Sequence, residues 1–438
     1  MKKFSLFLGN TALLSVPTLL RVVSILAVTV ALGRSQVGGP TAVGQFSVLL
    51  AFVAIAQSAA VGGISGAALH KLVTASPSQW LPVVRVISAA RVMLLPLCFT
   101  SAFMLYVLLV FDGSLTRLAL ICFFVGYAVG TYDVGELIFT SVGRYSTLAT
   151  RRSLVVLVLA VPKIAFALWG NLDAVLILQG LEMCLSSLVM LLSRFVPVMS
   201  LTPNLEALHG GFNELVRVRL LWISSIVAVL GMRVDVLLVA ALLGNDAAGQ
   251  YSTASRLVEA ASIVAASVGT LALRDLSANS LKAKTYGDAI RRNAKLTSVV
   301  GVVAALTSAA LSPFLIMALY GPEFRIASQL SIVYSATLII IFYRQLVSKL
   351  MVIESAFRLS FMSNALSVLI SICAALVLVP KLGLWGAVIA TLLAYYGSVV
   401  VGLGATRQGR FMLSASLLSV VSRNASDRAA EKLVESRS

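Results

Sequence analysis

Long apolar runs fill this 438-residue chain and leave few folds open to it. Segments such as "SILAVTVAL" (24–32), "LVVLVLAV" (154–161) and "SATLIIIF" (335–342) carry no charge. In lipid every backbone N–H and C=O must be paired internally, so a spanning segment is a helix of about 20 apolar residues or a strand of a closed barrel. Barrel strands alternate apolar and polar residues, and these runs do not. The pattern predicts an all-α polytopic membrane protein of about twelve transmembrane helices. They fall at roughly 9–33, 43–69, 88–111, 115–142, 151–169, 172–193, 218–243, 249–273, 294–319, 327–353, 360–379 and 384–406. Composition agrees: 59% of residues are hydrophobic and 12% charged, with mean hydropathy +0.98, whereas soluble domains hold about 25% charged residues.

Two phrases recur within the chain. "AVGQFS" (42–47) and "AAGQYS" (247–252) each open a span after a helix ending in Leu-Gly, Leu32-Gly33 and Leu243-Gly244. "VPKIAFALWG" (161–170) and "VPKLGLWG" (379–386) lie near the fifth-to-sixth and eleventh-to-twelfth junctions. Matched order, half a chain apart, predicts a duplicated six-helix unit. Six is even, so the copies run parallel. The expected organisation is an N-terminal lobe over 1–195, a cytoplasmic linker over 196–217, a C-terminal lobe over 218–406 and a polar tail over 407–438. Two such lobes around a central cleft are the architecture of alternating access.

With the N-terminus inside, 24 of the 34 Lys and Arg residues fall in cytoplasmic segments and four in outer ones. This positive-inside asymmetry puts both termini in the cytoplasm. It also accounts for the net charge of +17 without a nucleic-acid partner, and the excess suits anionic lipid headgroups. "MKKFSLFLGN" leads into an apolar stretch too long for a signal peptide, so it reads as an uncleaved first helix. Cys98, Cys122, Cys184 and Cys373 fall inside spans with no CxxC pair, and His70 and His209 stand far from them. No metal-site spacing, phosphate loop or GxSxG is present, so no catalytic residue, metal or cofactor is expected, only coupling to H⁺ or Na⁺.

Charges inside spans are costly and face a cavity or a partner. The basic ones are Arg21, Lys163, Arg233, Arg256, Arg344 and Lys349; the acidic ones are Asp133, Glu136, Glu182, Asp235 and Glu259. Arg21, Arg256, Arg233 and Lys163 are the expected substrate-binding residues. Glu259, Asp133, Glu136 and Asp235 are the expected ion-coupling residues. Arg256 and Glu259 are three apart and share a helix face. Asp133 and Glu136 do so too, and their repulsion predicts a proton held by one of them. Arg233 and Asp235 are two apart, so each needs a partner elsewhere. Arg344 and Lys349, toward the inner end of their span, read as snorkelling residues. The same charges also fit buried ion pairs that pin helices together. Gly62-x-x-x-Gly66 and Gly126-x-x-x-Gly130 fit close helix packing.

Four stretches carry a resemblance. "ALGRSQVGGPTAVGQFSVLLAF", "MRVDVLLVAALLGNDAAGQYSTASRLVEA", "LYGPEFRIAS" and "LVPKLGLWGAVIAT", in this order, resemble signature regions of the polysaccharide transporter family. These are the Wzx-type O-antigen and capsule-repeat flippases of the multidrug/oligosaccharidyl-lipid/polysaccharide exporter superfamily. The resemblance implies export of undecaprenyl-pyrophosphate-linked oligosaccharide repeat units across the bacterial inner membrane, for O-antigen, capsule or exopolysaccharide. The implied partners are that glycolipid, membrane lipids, the polysaccharide polymerase and the chain-length regulator. The chain is also similar to lipid II flippases, whose cavity is lined by arginines. By that similarity Arg21 matches a first-span cavity arginine, and Arg256 with Glu259 an eighth-span Arg-Leu-x-Glu. Lipid II flippases carry more arginines in the first two spans and two extra helices, which makes lipid II the less favoured cargo. A cation-coupled multidrug antiporter of the same superfamily is the alternative, and Asp133 with Glu136 would serve its cationic substrates. A membrane-embedded glycan polymerase or ligase would need a substantial outer loop carrying catalytic groups, and the outer segments here are only about ten residues or shorter.

Overall fold

A computed structural model describes residues 2–62, 65, 72, 80–111, 113–192, 204–279, 283–354, 356–404 and 406–413. Gly66, His70, residues 196–203 of the expected linker and the tail from 414 lie outside the described residues. Two compact units divide the chain, Met1–Val229 and Leu230–Ser438. The first holds α1 (Lys2–Arg34), α2 (Gly39–Val61), α3 (Trp80–Leu109), α4 (Arg117–Thr131), α5 (Val134–Ser141), α6 (Tyr145–Leu168), α7 (Leu172–Leu191) and α8 (Leu205–Arg217). It also holds the first part of α9 (Arg219–Leu243). The second holds the rest of α9, then α10 (Asn245–Asn279), α11 (Ala283–Tyr320) and a 3-10 turn (Pro322–Phe324). It continues with α12 (Arg325–Tyr334), α13 (Thr337–Ile353), α14 (Phe357–Leu382), α15 (Leu384–Gly404) and α16 (Arg407–Leu413). Among the described residues there is no strand.

Ten helical segments among the described residues are long and apolar enough to cross a membrane, and the pair over 322–353, bent by 47°, makes an eleventh if counted as one span. The chain is therefore a multi-pass membrane protein. The remaining expected span is α6, whose composition is not apolar enough to qualify because it carries Arg151, Arg152 and Lys163. Its geometry explains how it tolerates them. Leu154, Leu157, Val158 and Val161, spaced i, i+3, i+4, i+7, form an exposed apolar stripe, while Val156, Leu159 and Lys163 turn inward. In a membrane helix the lipid takes the apolar stripe, and the charges find partners within the protein.

The expected fourth span is broken. α4 ends at Thr131 and α5 starts at Val134, with Asp133 as its N-cap accepting from Glu136 N at 2.9 Å. The Tyr132 carbonyl left at the break accepts from Arg91 Nη1 at 3.0 Å, and Arg91 Nη2 donates to Ser65 Oγ at 3.1 Å. Arg91, one of the 24 basic residues that the sequence puts in cytoplasmic segments, is thus buried inside the unit.

Small residues set the helix spacing. A Cβ on Gly126 would stand 2.3 Å from Gly180 O, and one on Gly130 2.8 Å from Met183 Cβ, so the Gly-x-x-x-Gly face of α4 lies directly on α7. Gly62, the described half of the other motif, lies against Ser225.

The first echoed phrase does one job in both units. Gln45, at the start of α2, donates through Nε2 to Ser114 Oγ at 2.7 Å, in the turn after α3. Gln250, at the start of α10, donates to Glu323 O at 2.7 Å in the 3-10 turn after α11 and accepts from Ala327 N at 3.0 Å in the first turn of α12. In each unit the second helix is clamped to the turn that leads into the fourth. The second echo sits at the predicted junctions but in different register. Lys163 is buried within α6, with Trp169 ending that helix, whereas Lys381 is in the exposed last turn of α14 and Trp385 begins α15.

Candidate functional site

The first unit gathers a polar cluster where α1, α4, α6 and α7 meet. Close contact at Gly126 and Gly180 brings Gln179 beside Tyr127, and Gln179 Nε2 donates to the Tyr127 hydroxyl at 3.2 Å. Lys163 Nζ donates to Gln179 Oε1 at 2.9 Å and pairs with Glu182 Oε2. The other carboxylate oxygen, Glu182 Oε1, lies 3.3 Å from Arg21 Nε, and Arg21 Nη2 reaches Ser186 Oγ at 3.5 Å. Lys163 and Glu182 side chains are 0% exposed, while Arg21 is 27% exposed.

A second node lies at the α4–α5 break. Arg152 on α6 pairs with Asp133 through Nη2 and with Glu136 Oε2 through Nη1 at 3.0 Å. A guanidinium bridges the two carboxylates expected to repel each other. Arg21 and Arg91 both act electrostatically on Glu136, so the two groups of charges form one field.

In the second unit the charges converge likewise. Arg233 Nη1 lies 3.4 Å from Glu259 Oε2, with both side chains partly exposed. Asp235 accepts from the Tyr251 hydroxyl at 2.8 Å and from Val236 N at 2.8 Å. Tyr251 OH also meets Thr391 Oγ1 at 2.8 Å. Arg233 and Asp235 thus find the separate partners that their spacing required. Glu259 takes Arg233, while Arg256, on the same helix, hydrogen-bonds Tyr320 and feels both Arg233 and Glu259 electrostatically. Arg344, read as snorkelling, instead reaches Asn364 and lies 5.7 Å over the Tyr395 ring. Tyr395 interacts electrostatically with Asp235, Glu259, Arg344 and Arg233.

The expected site residues therefore fall into two groups, one per unit: Arg21, Lys163, Asp133 and Glu136, then Arg233, Asp235, Arg256 and Glu259. The sequence marked Glu182 only as a charge inside a span, yet it joins Arg21 to Lys163. Arg91 and Arg152, near expected span ends, belong to the 24 basic residues that the positive-inside reading puts in cytoplasmic segments. Among the described residues no cluster of His, Cys, Asp and Glu is suited to hold a metal.

No family model and no curated protein matches the sequence. Solved structures do match. The lipid II flippase MurJ in its inward closed conformation is similar with a TM-score of 0.69 and 14% identity, over 97% of this chain and 97% of that one. An inward-facing multidrug resistance MATE family transporter of the MOP superfamily is similar with a TM-score of 0.66 and 14% identity, over 93% and 98%. A MOP superfamily transporter from Pyrococcus furiosus, described by the reverse polarity of its binding pocket, gives 0.58 and 14%, over 92% and 94%. The chain has the fold of the MOP superfamily transporters.

Proposed function

We propose that the chain is a flippase. It carries undecaprenyl-pyrophosphate-linked oligosaccharide repeat units from the cytoplasmic to the outer leaflet of the bacterial inner membrane by alternating access. The observation that carries this reading is the sign of the buried charge. The first unit sets Arg21, Arg91, Arg152 and Lys163 against Asp133, Glu136 and Glu182. The second sets Arg233, Arg256 and Arg344 against Asp235 and Glu259. In each, cations outnumber carboxylates by one, which suits an anionic cargo. Pyrophosphate favours arginine, whose planar fork of donors matches its oxygens. The polyprenyl tail can stay in lipid while the polar headgroup crosses. An inside-negative potential drives the anion outward with roughly 2.3 kcal/mol per charge per 100 mV. An H⁺ or Na⁺ gradient resets the carrier through Glu259, Asp133, Glu136 or Asp235, and the polymerase and chain-length regulator take the exported unit.

A deletion strain tests this reading. Loss of surface glycan, with repeat units accumulating on the cytoplasmic leaflet of inner-membrane vesicles, is the expected result, and Arg256→Ala should reproduce it in part. Normal glycan with a normal leaflet distribution would reject it. The second reading is a cation-coupled multidrug antiporter. It is favoured by the fold shared with MATE transporters and by Glu136, whose side chain is 48% exposed despite its pairing. That protein's deletion would sensitise cells to cationic dyes and leave the glycan unchanged.

A further inference from the structure

Glu182 is shared between two cations that differ in access. One oxygen pairs with Lys163 Nζ and the other lies 3.3 Å from Arg21 Nε. Lys163 is wholly enclosed and also held by Gln179 Oε1 at 2.9 Å, which Tyr127 fixes in turn. Arg21 is 27% exposed, and its contacts to Glu182 and Ser186 both run to α7. The carboxylate therefore occupies on Arg21 the kind of place that a phosphate oxygen takes. A buried carboxylate stripped of its only cation is strongly disfavoured. Glu182 avoids that penalty, because Lys163 keeps it neutralised when Arg21 turns away.

We infer that Glu182 is a stand-in anion at Arg21, displaced by the phosphate or pyrophosphate of the cargo, and that Lys163 is the positioning residue that makes the exchange possible by retaining Glu182. The inference rests on the flippase reading of this site. Lys163 then tunes affinity without touching the cargo. The arrangement fixes the signs of a mutant cycle. Glu182→Gln removes the competitor and strengthens anion binding at Arg21. Lys163→Met leaves Glu182 with Arg21 as its remaining cation and weakens it. The double variant, a neutral pair of similar size, has no competitor to retain, so Glu182→Gln rescues Lys163→Met. A purely structural pair behaves differently: both single changes weaken binding, and the double is no better than the worse of them.

The test is titration of geranylgeranyl pyrophosphate into the full-length protein in nanodiscs of zwitterionic lipid, with thermal unfolding of each variant as the check on folding. We expect Glu182→Gln to bind about tenfold tighter and Lys163→Met about tenfold weaker, the scale of one charge-assisted hydrogen bond. The double variant should bind at least as tightly as wild type, and Arg21→Ala should remove the gain in the Glu182→Gln background. If Lys163→Met does not fold, Glu182→Gln alone decides: binding no tighter than wild type overturns the inference. Weakening by both single changes without rescue overturns it while leaving the flippase reading intact. Failure of the wild type to bind the probe overturns both.

Discussion

A carboxylate or guanidinium within a membrane span is stable only where its charge is answered by a neighbour, because lipid offers no alternative solvation. Arg152 answers two at once, bridging Asp133 and Glu136 with its own side chain 12% exposed. Arg152→Ala leaves two adjacent carboxylates facing each other, and a loss of about 3 kcal/mol in unfolding free energy is expected. Asp133→Asn in the same background should recover part of it by removing one of the charges. Thermal unfolding of the purified protein reads both changes, and an unchanged midpoint for Arg152→Ala would mean that water already screens the pair. This role was not legible in the sequence, where Arg152 stands at a span end as any positive-inside anchor does. Tyr251 is a gentler case. Its hydroxyl serves Asp235 and Thr391, and the echoed position in the first unit is Phe46, which manages without one. Tyr251→Phe should cost about 1 kcal/mol, the usual scale of an interhelical hydrogen bond in a membrane, and a larger loss would mark Asp235 as dependent on Tyr251 for its solvation.

Helices here are placed by hydropathy and positioned by small side chains. Gly126→Val puts branched carbon where Gly180 O lies 2.3 Å from a bare Cβ, so α4 must move off α7. That motion pulls Tyr127 from Gln179 and loosens the Lys163–Glu182–Arg21 chain beyond it. The expected result is loss of transport together with a lowered melting temperature, whereas Val125→Leu, on the 55% exposed neighbour, should change neither. Equal tolerance at both positions would show that the helix pair is less tightly seated than the geometry requires. The Gly-x-x-x-Gly spacing made this contact readable in advance, since it needs only one helix. The pairing of Lys163 with Glu182 was not readable, because it joins side chains on two helices whose mutual rotation no local pattern reveals. The break at Tyr132 and Asp133 has a local signal, since Asp133-x-x-Glu136 has the spacing of a helix N-cap, but the apolar runs on either side read as one span, and the partner of the freed carbonyl, Arg91, lies 41 positions away.

At the scale of the whole molecule, charge and turn geometry divide the chain along the same line. The turns expected on the outer side are short, and each contains a glycine with positive φ, as at Gly113 (82°) and Gly244 (88°), while Gly143 (76°) is the one such residue described in a turn expected inside. Short reversals between antiparallel helices favour a left-handed residue, and glycine adopts it without a side-chain clash. The basic residues fall mostly in the segments expected on the opposite side, where positive-inside insertion would retain them. These two independent features predict that alkaline phosphatase fused after Gly113 or Gly244 is active and that the same enzyme fused after Gly143 is not. A fluorescent protein fused to either terminus should light up, as it does only in the cytoplasm. The reverse pattern would carry a consequence beyond topology. With the cation-rich loops outside, the protein would present its basic surface to the outer leaflet, while the inside-negative potential would still favour outward movement of an anion. Outward export of a pyrophosphate-linked headgroup would keep its electrical drive, and what it would lose is the electrostatic collection of anionic headgroups at the cytoplasmic face where the proposed transport begins.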